Sequence, residues 1–164
     1  MAKRVYIETT IPSYLAAWPS RDLLQAARQR ITHDWWENER QRFDLCTSQT
    51  VLDEVAAGDA DAAKRRFAYV QNLPLLDLTE AVDRVATAIT ESGVLPRKAG
   101  RDAIHIAVSS VHGVDILVTW NCQHIANAAI MKELAQVVAQ CGYEMPVLCT
   151  PEELLGEKSD EGIE

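Results

Sequence analysis

Residues 101–121 read RDAIHIAVSSVHGVDILVTWN, and the fold is decided there. Apolar residues recur at helical spacing over 101–112, the pattern stops at Gly113, and a strand over 115–119 follows directly. Ile116, Leu117 and Val118 are apolar without a break, as expected of a parallel strand covered on both faces. A helix feeding straight into a buried strand is the repeating unit of a parallel α/β fold.

The same alternation extends to both ends of the chain, with Gly or Pro at nearly every junction. Toward the amino terminus the sequence predicts a strand over 4–8, a short helix opened by Pro12, a long helix over 22–42 and a strand over 44–47. A helix over 49–57 closed by Gly58, a helix over 61–72 and a strand over 75–78 follow. Thr79 caps the next helix and Gly93 ends it, before a polar connection through Pro96 and Gly100. Toward the carboxyl terminus a helix over 128–141 stops at Gly142 and a last strand covers 147–149. Thr150, Pro151 and Glu153 then form a capping box with proline at the first helical position. No internal repeat and no second domain is visible, so residues 1–155 read as one domain and 156–164 as an acidic, disordered tail.

The 164 residues carry 24 acids and 16 bases, a formal charge of −8, with 48% hydrophobic side chains. That apolar content excludes disorder for the body, and the length supports a core without disulfides or structural metal. No apolar run approaches the ~20 residues of a membrane span. Glu8 interrupts the first apolar stretch and no small-residue cleavage site follows, so no signal peptide is read. Cys46, Cys122, Cys141 and Cys149 show no Cys-x-x-Cys spacing and read as reduced, buried thiols, which points to the cytoplasm. A broad basic surface for nucleic acid is excluded. The acidity is uneven, however: residues 152–164 hold six acids and one lysine, a local −5 that leaves −3 for the rest.

In an open parallel sheet, ligands bind outside the carboxyl ends of the strands, near the point where strand order reverses. The residues to question are those the sequence puts there. Glu8 closes the first strand and precedes Thr9 and Thr10, Glu54 lies in the helix after the second strand, Asp102 sits in the first turn of its helix, and Thr119 and Asn121 follow the fourth strand. Gathered, they form a hard-oxygen site suited to Mg²⁺ or Mn²⁺. Each also has a plain reading. Asp102 complements a helix dipole, Glu54 beside Asp53 is an ordinary solvated charge, and Asn121 stabilises a turn. Glu8 ends a buried strand, where an unpaired carboxylate costs several kcal/mol, so it calls for a cation or a hydrogen-bond donor.

The segments VYIETTIPSYL, SQTVLDEV, RDAIHIAVSS and DILVTWN, in that order over roughly residues 4–150, resemble a PIN domain of the VapC type. The resemblance implies a three-layer α/β fold with a central parallel sheet of order 3-2-1-4-5 flanked by helices. It implies a divalent-metal-dependent endoribonuclease, the toxin of a type II toxin-antitoxin pair, with a small antitoxin as partner and frequent homodimerisation. By position its acidic catalytic site falls on Glu8, Glu54, Asp102 and Asn121, the first three holding metal, with Thr119 beside them. Two positions depart from the family pattern. Glu8 stands where Asp is usual and Asn121 where an acid is usual, so three formal charges replace four and a second cation is held less well. The rival reading is a PIN-like RNA- or protein-binding module with weakened catalysis.

Several further residues are candidates. Arg97, Lys98 and Arg101 immediately precede Asp102 and read as phosphate contacts or as a solvated face, as do Lys64, Arg65 and Arg66 on a helix. His105 lies three residues after Asp102 and so shares its helical face, but no zinc spacing is present and an apolar helix favours a hydrogen-bonded core imidazole. Thr9 and His124 read as supporting residues, His124 either behind the site or on the substrate. Trp18, Trp35, Trp36 and Trp120 could stack bases, though most are expected in the core or an interface. The turn after the first strand has no glycine to cradle pyrophosphate, which excludes a dinucleotide site. Glu8 replaces the nucleophile of an aspartyl phosphatase, and Cys122 has no charged partner nearby for thiol hydrolysis.

Overall fold

The computed structural model describes residues 1–156. Of the tail expected over 156–164, everything after Gly156 lies outside the described residues. Five strands form one parallel sheet of order β3-β2-β1-β4-β5, namely β1 Arg4–Ile7, β2 Asp44–Ser48, β3 Leu75–Leu76, β4 Ile116–Val118 and β5 Val147–Cys149. The order reverses at β1, which pairs with β2 on one side and β4 on the other. Among the described residues seven α-helices flank the sheet: α1 Thr10–Ala16, α2 Leu23–Asn38, α3 Gln49–Val55, α4 Ala60–Val70, α5 Glu80–Ser92, α6 Gly100–Val111 and α7 Ala128–Gln140. Helix α5 packs on α6 and α7, α1 on α2 and α4, and α3 against both α4 and α6. The core runs along β1 and β4, where Val5, Tyr6, Ile7, Leu117 and Val118 are fully buried.

Local chemistry sets most boundaries. Asp22, Asp59, Thr79 and Asn127 each accept a backbone N–H of the helix they open, and Gly93 ends α5 in the left-handed region at φ 76°. Glu153 reaches back to accept from the Thr150 N–H at 2.8 Å, completing the expected box. Several expected boundaries differ. Helix α1 starts at Thr10, two residues before Pro12, because the Ile11 N–H already bonds to the Glu8 carbonyl. The long second helix breaks at Glu39 into a separate 3-10 turn over Arg40–Arg42. Strand β3 is two residues long because only Leu75 and Leu76 find partners on β2. A 3-10 turn over Arg97–Ala99 occupies the connection read as irregular, and α6 begins one residue early at Gly100.

All four cysteines are free. Cys46 and Cys149 are buried as expected, whereas Cys122 is exposed and Cys141 half-buried. Trp35, Trp36 and Trp120 are in the core, and Trp18 is 73% exposed. No described helix is long and apolar enough to cross a membrane.

Candidate active site

The strand order reverses between β1 and β4, and the residues leaving those two strands are Glu8 and Thr119. Glu8 is only 3% exposed. Its Oε1 accepts the Thr10 N–H at 2.7 Å and its Oε2 accepts the Thr119 hydroxyl at 3.0 Å. The partner that its burial demanded is therefore a pair of protein donors. Burial pushes its carboxyl pKa up, opposed by the charge of His105 and by the bonds from Thr10 and Thr119.

Glu54 comes from α3 and is half-buried. Its Oε1 accepts from His105 Nε2 at 2.5 Å and from the Thr9 hydroxyl at 3.0 Å. Burial acts to raise its pKa, but the bond and charge of His105, with Thr9 and the Arg101 charge, outweigh it and hold the carboxylate below its usual range. Its Oε2 has no hydrogen-bond partner among the described residues.

Asp102 lies one turn before His105 on α6. Its Oδ1 accepts from Asn121 Nδ2 at 3.1 Å and its Oδ2 from His124 Nδ1 at 2.9 Å. Asn121 is held in turn: its N–H donates to Thr119 Oγ1 and its Oδ1 accepts the His124 N–H. Glu8, Thr119, Asn121, Asp102 and His124 thus form one hydrogen-bonded string. Thr9, next to Glu8, ties that string to Glu54. Every residue expected at the strand ends is brought into this network, from four separate stretches of chain.

The basic residues divide. Arg97 and Arg101 line an open cleft between α5 and α6, whereas Lys98 does not. The second group serves the fold: Arg66 donates to the Val55 and Ala57 carbonyls at the end of α3, and Arg65 bonds to the Ala16 carbonyl and stacks on Trp18 at 4.6 Å. His105 is a buried, hydrogen-bonded imidazole, as its apolar helix suggested. Sequence reasoning overlooked Tyr6 and Ser48, which sit behind His105. A tyrosine inside an apolar strand and a serine at a helix start both have ordinary explanations, so neither gave a signal.

The donor set is all oxygen where it is accessible, which suits a hard cation. The three carboxylates expected as ligands are nevertheless not arranged as a trio. Among the described residues no three His, Cys, Asp or Glu side chains are placed to hold one metal ion, and Glu8 is nearly closed off from solvent. Glu54 and Asp102 fit better: each side chain is 21% exposed and keeps unused acceptor positions. Mg²⁺ is commonly held by one or two carboxylates with waters and substrate phosphate completing its shell.

No family model matches the chain, and no curated protein matches it. A solved structure, that of VapBC2 from Rickettsia felis bound to a DNA fragment from its promoter, is similar over 90% of this chain and 98% of that one, with a TM-score of 0.52 and 12% identity. The fold is PIN-like. At that identity the likeness speaks for the PIN-like sheet order and helix placement, and the chemistry of the site rests on the side chains described above.

Proposed function

We propose that this protein is a VapC-like endoribonuclease that hydrolyses RNA phosphodiester bonds with Mg²⁺ or Mn²⁺, as the toxin of a toxin-antitoxin pair. The observation that carries the reading is the convergence of Glu8, Asp102 and Asn121 in one hydrogen-bonded string at the strand-order reversal of a PIN-like sheet, with Glu54 bonded to Thr9, the residue next to Glu8. Glu54 and Asp102 would hold the cation. When bound there, it supplies neutralisation of charge on a phosphoryl oxygen and a lowered pKa for coordinated water.

The remaining work falls to the chain. His105 and His124 each donate to one of the two carboxylates and so fix their orientation. Glu8 holds Thr119 and the start of α1 in place beneath them. Arg97 and Arg101 present positive charge along the cleft between α5 and α6, and the Arg101 charge also acts on Glu54, so they offer a path for the phosphates flanking the cut. Their role is electrostatic, so Arg97→Glu should weaken RNA binding and lower its salt slope by about one.

Asp102→Asn should abolish divalent-dependent cleavage of RNA while unfolding at nearly the wild-type temperature. Cleavage by that variant at the wild-type rate would move the site elsewhere. One observation favours a second reading, a binding module with weakened catalysis: Asn121 uses its amide to donate to Asp102, where an acid would repel it. RNA binding without turnover, persisting in Asn121→Asp with Mn²⁺ present, would select that alternative.

A partner antitoxin, a homodimer and a cytoplasmic location belong to the same proposal. Support for a protein partner comes from Trp18, Leu23 and Leu24, exposed apolar side chains close in sequence, after α1 and at the start of α2.

A further inference from the structure

Helix α3 starts just after Ser48 and carries Glu54 near its end, and a buried chain of hydrogen bonds leaves the helix at the first and returns to it at the second. Ser48 is the N-cap residue, a position where a serine hydroxyl ordinarily accepts a backbone N–H of the first turn. It makes no such bond. Its Oγ lies 2.7 Å from Tyr6 Oη on β1 instead. Tyr6 Oη is 2.8 Å from Nδ1 of His105 on α6, and His105 Nε2 donates to Glu54 Oε1. Ser48 and Tyr6 are fully buried and His105 is 1% exposed.

We infer that Tyr6 and Ser48 are positioning residues for Glu54, acting through His105. The inference rests on the nuclease reading proposed above for what Glu54 is positioned to do. Phe at position 6 would fill the same core space without a hydroxyl to satisfy, and Ser48 would then be free to cap its helix. Buried polar networks of this kind are weak sources of stability compared with apolar packing, and their better-attested contribution is a unique arrangement.

An ionised Glu54 only accepts, so His105 carries a proton on Nε2 whether the ring is neutral or charged. In a neutral imidazole Nδ1 accepts from the Tyr6 hydroxyl, whose oxygen accepts from Ser48; in a charged one Nδ1 donates to Tyr6, which donates to Ser48. The ring cannot turn over without losing two bonds. Its consequence for the site is a choice between oxygens: Oε1 of Glu54 is committed to His105 and Thr9, and Oε2 is the oxygen left without a protein partner among the described residues.

The test combines nitrogen-15 NMR of His105 with RNA cleavage for wild type, Tyr6→Phe, Ser48→Ala and Ser48→Thr. Wild type should show a protonated Nε2 and a hydrogen-bonded Nδ1. Tyr6→Phe should shift the Nδ1 resonance and lower kcat roughly 10- to 100-fold, the range seen when groups behind a ligand are removed, with KM within about twofold. Ser48→Ala should move both readouts the same way by less, and Ser48→Thr should restore them. Wild-type kcat and unchanged His105 resonances in both Tyr6→Phe and Ser48→Ala would overturn the inference. If Tyr6→Phe does not fold, the Ser48 pair decides by the same two readouts. If wild type cleaves no RNA, the nuclease reading fails, and the Nδ1 resonance alone decides the positioning: moved in Tyr6→Phe it stands, unmoved it falls.

Discussion

At Glu8, burial and hydrogen bonding pull in opposite directions, and burial wins. A carboxyl whose pKa is raised in the folded state keeps its proton where the unfolded chain has released it. The stability it contributes is therefore fully present below the ordinary value of 4.5 and declines as pH rises through the raised one. Glu54 has the opposite sign: its contribution is present above 4.5 and is lost as pH falls through its lowered value. Glu8→Gln removes only the first dependence. In chelator, the melting temperature of Glu8→Gln relative to wild type should climb as pH rises above 4.5, and a flat difference would show that Glu8 does not titrate in the fold. Thr119 tests the same corner differently. Its hydroxyl donates to Glu8 and accepts from the Asn121 N–H, and the residue is fully buried. Thr119→Val keeps the shape and strands both partners, so denaturant unfolding should show a loss of about 2 kcal/mol. A loss below about 0.5 kcal/mol would mean that the string through Thr119 is slack.

The elements carrying the site are short, and each is fastened at an end. Helix α3 has only seven residues, Gln49–Val55, too few to be stable on its own. Arg66 from α4 takes up its terminal carbonyls with three hydrogen bonds. Arg66→Met should cost about 1–2 kcal/mol in chemical denaturation, and should loosen amide protection in α3 more than in α6. Equal loosening of both helices would assign Arg66 a global role instead. The sequence displayed these elements unevenly. Ile116–Val118 was legible because a parallel strand buried on both faces is an unbroken apolar run, and Thr79 and Gly93 were legible because caps are local chemistry. The end of β3 at Leu76 was not, since strand length depends on which residues of β2 lie opposite. The carboxylates could be named from their places after strands, but their partners could not. That Glu8 meets Thr119, and Glu54 meets His105, is fixed by β1 lying between β2 and β4, a tertiary fact with no local signature. The Lys64–Arg66 group showed the converse: a charge run that looked equally fit for solvent or phosphate is largely spent on backbone carbonyls.

For the whole molecule, the cysteines offer a reporter of global unfolding. Burial pushes the Cys46 thiol up to about 11 and the Cys149 thiol up to about 12, so neither forms thiolate near neutrality. Cys122 is exposed. Alkylation at about pH 8 should therefore label Cys122 first, with Cys46 and Cys149 reacting only at the rate of global opening, read by mass spectrometry across denaturant. Prompt labelling of Cys149 in the native protein would show that the β4–β5 edge opens by itself. The overall charge takes on a narrower meaning as well. Glu8, Glu54 and Asp102 contribute to the −8, yet each is enclosed by donors from Thr, His, Asn or backbone, so the fold tolerates concentrated negative charge without a basic surface to balance it.

The ring that runs from Ser48 through Tyr6 and His105 to Glu54 begins and ends on one short helix and passes through β1 and α6 between. Its closure therefore reports on three docking events at once. A folding intermediate with any of the three undocked has an open ring and a Glu54 free to rotate, so competence arrives in the last step of assembly, together with the native state. On the nuclease reading, a nascent or partly opened chain of this protein would be inert by construction, and RNA cleavage should track the fully folded population rather than secondary structure.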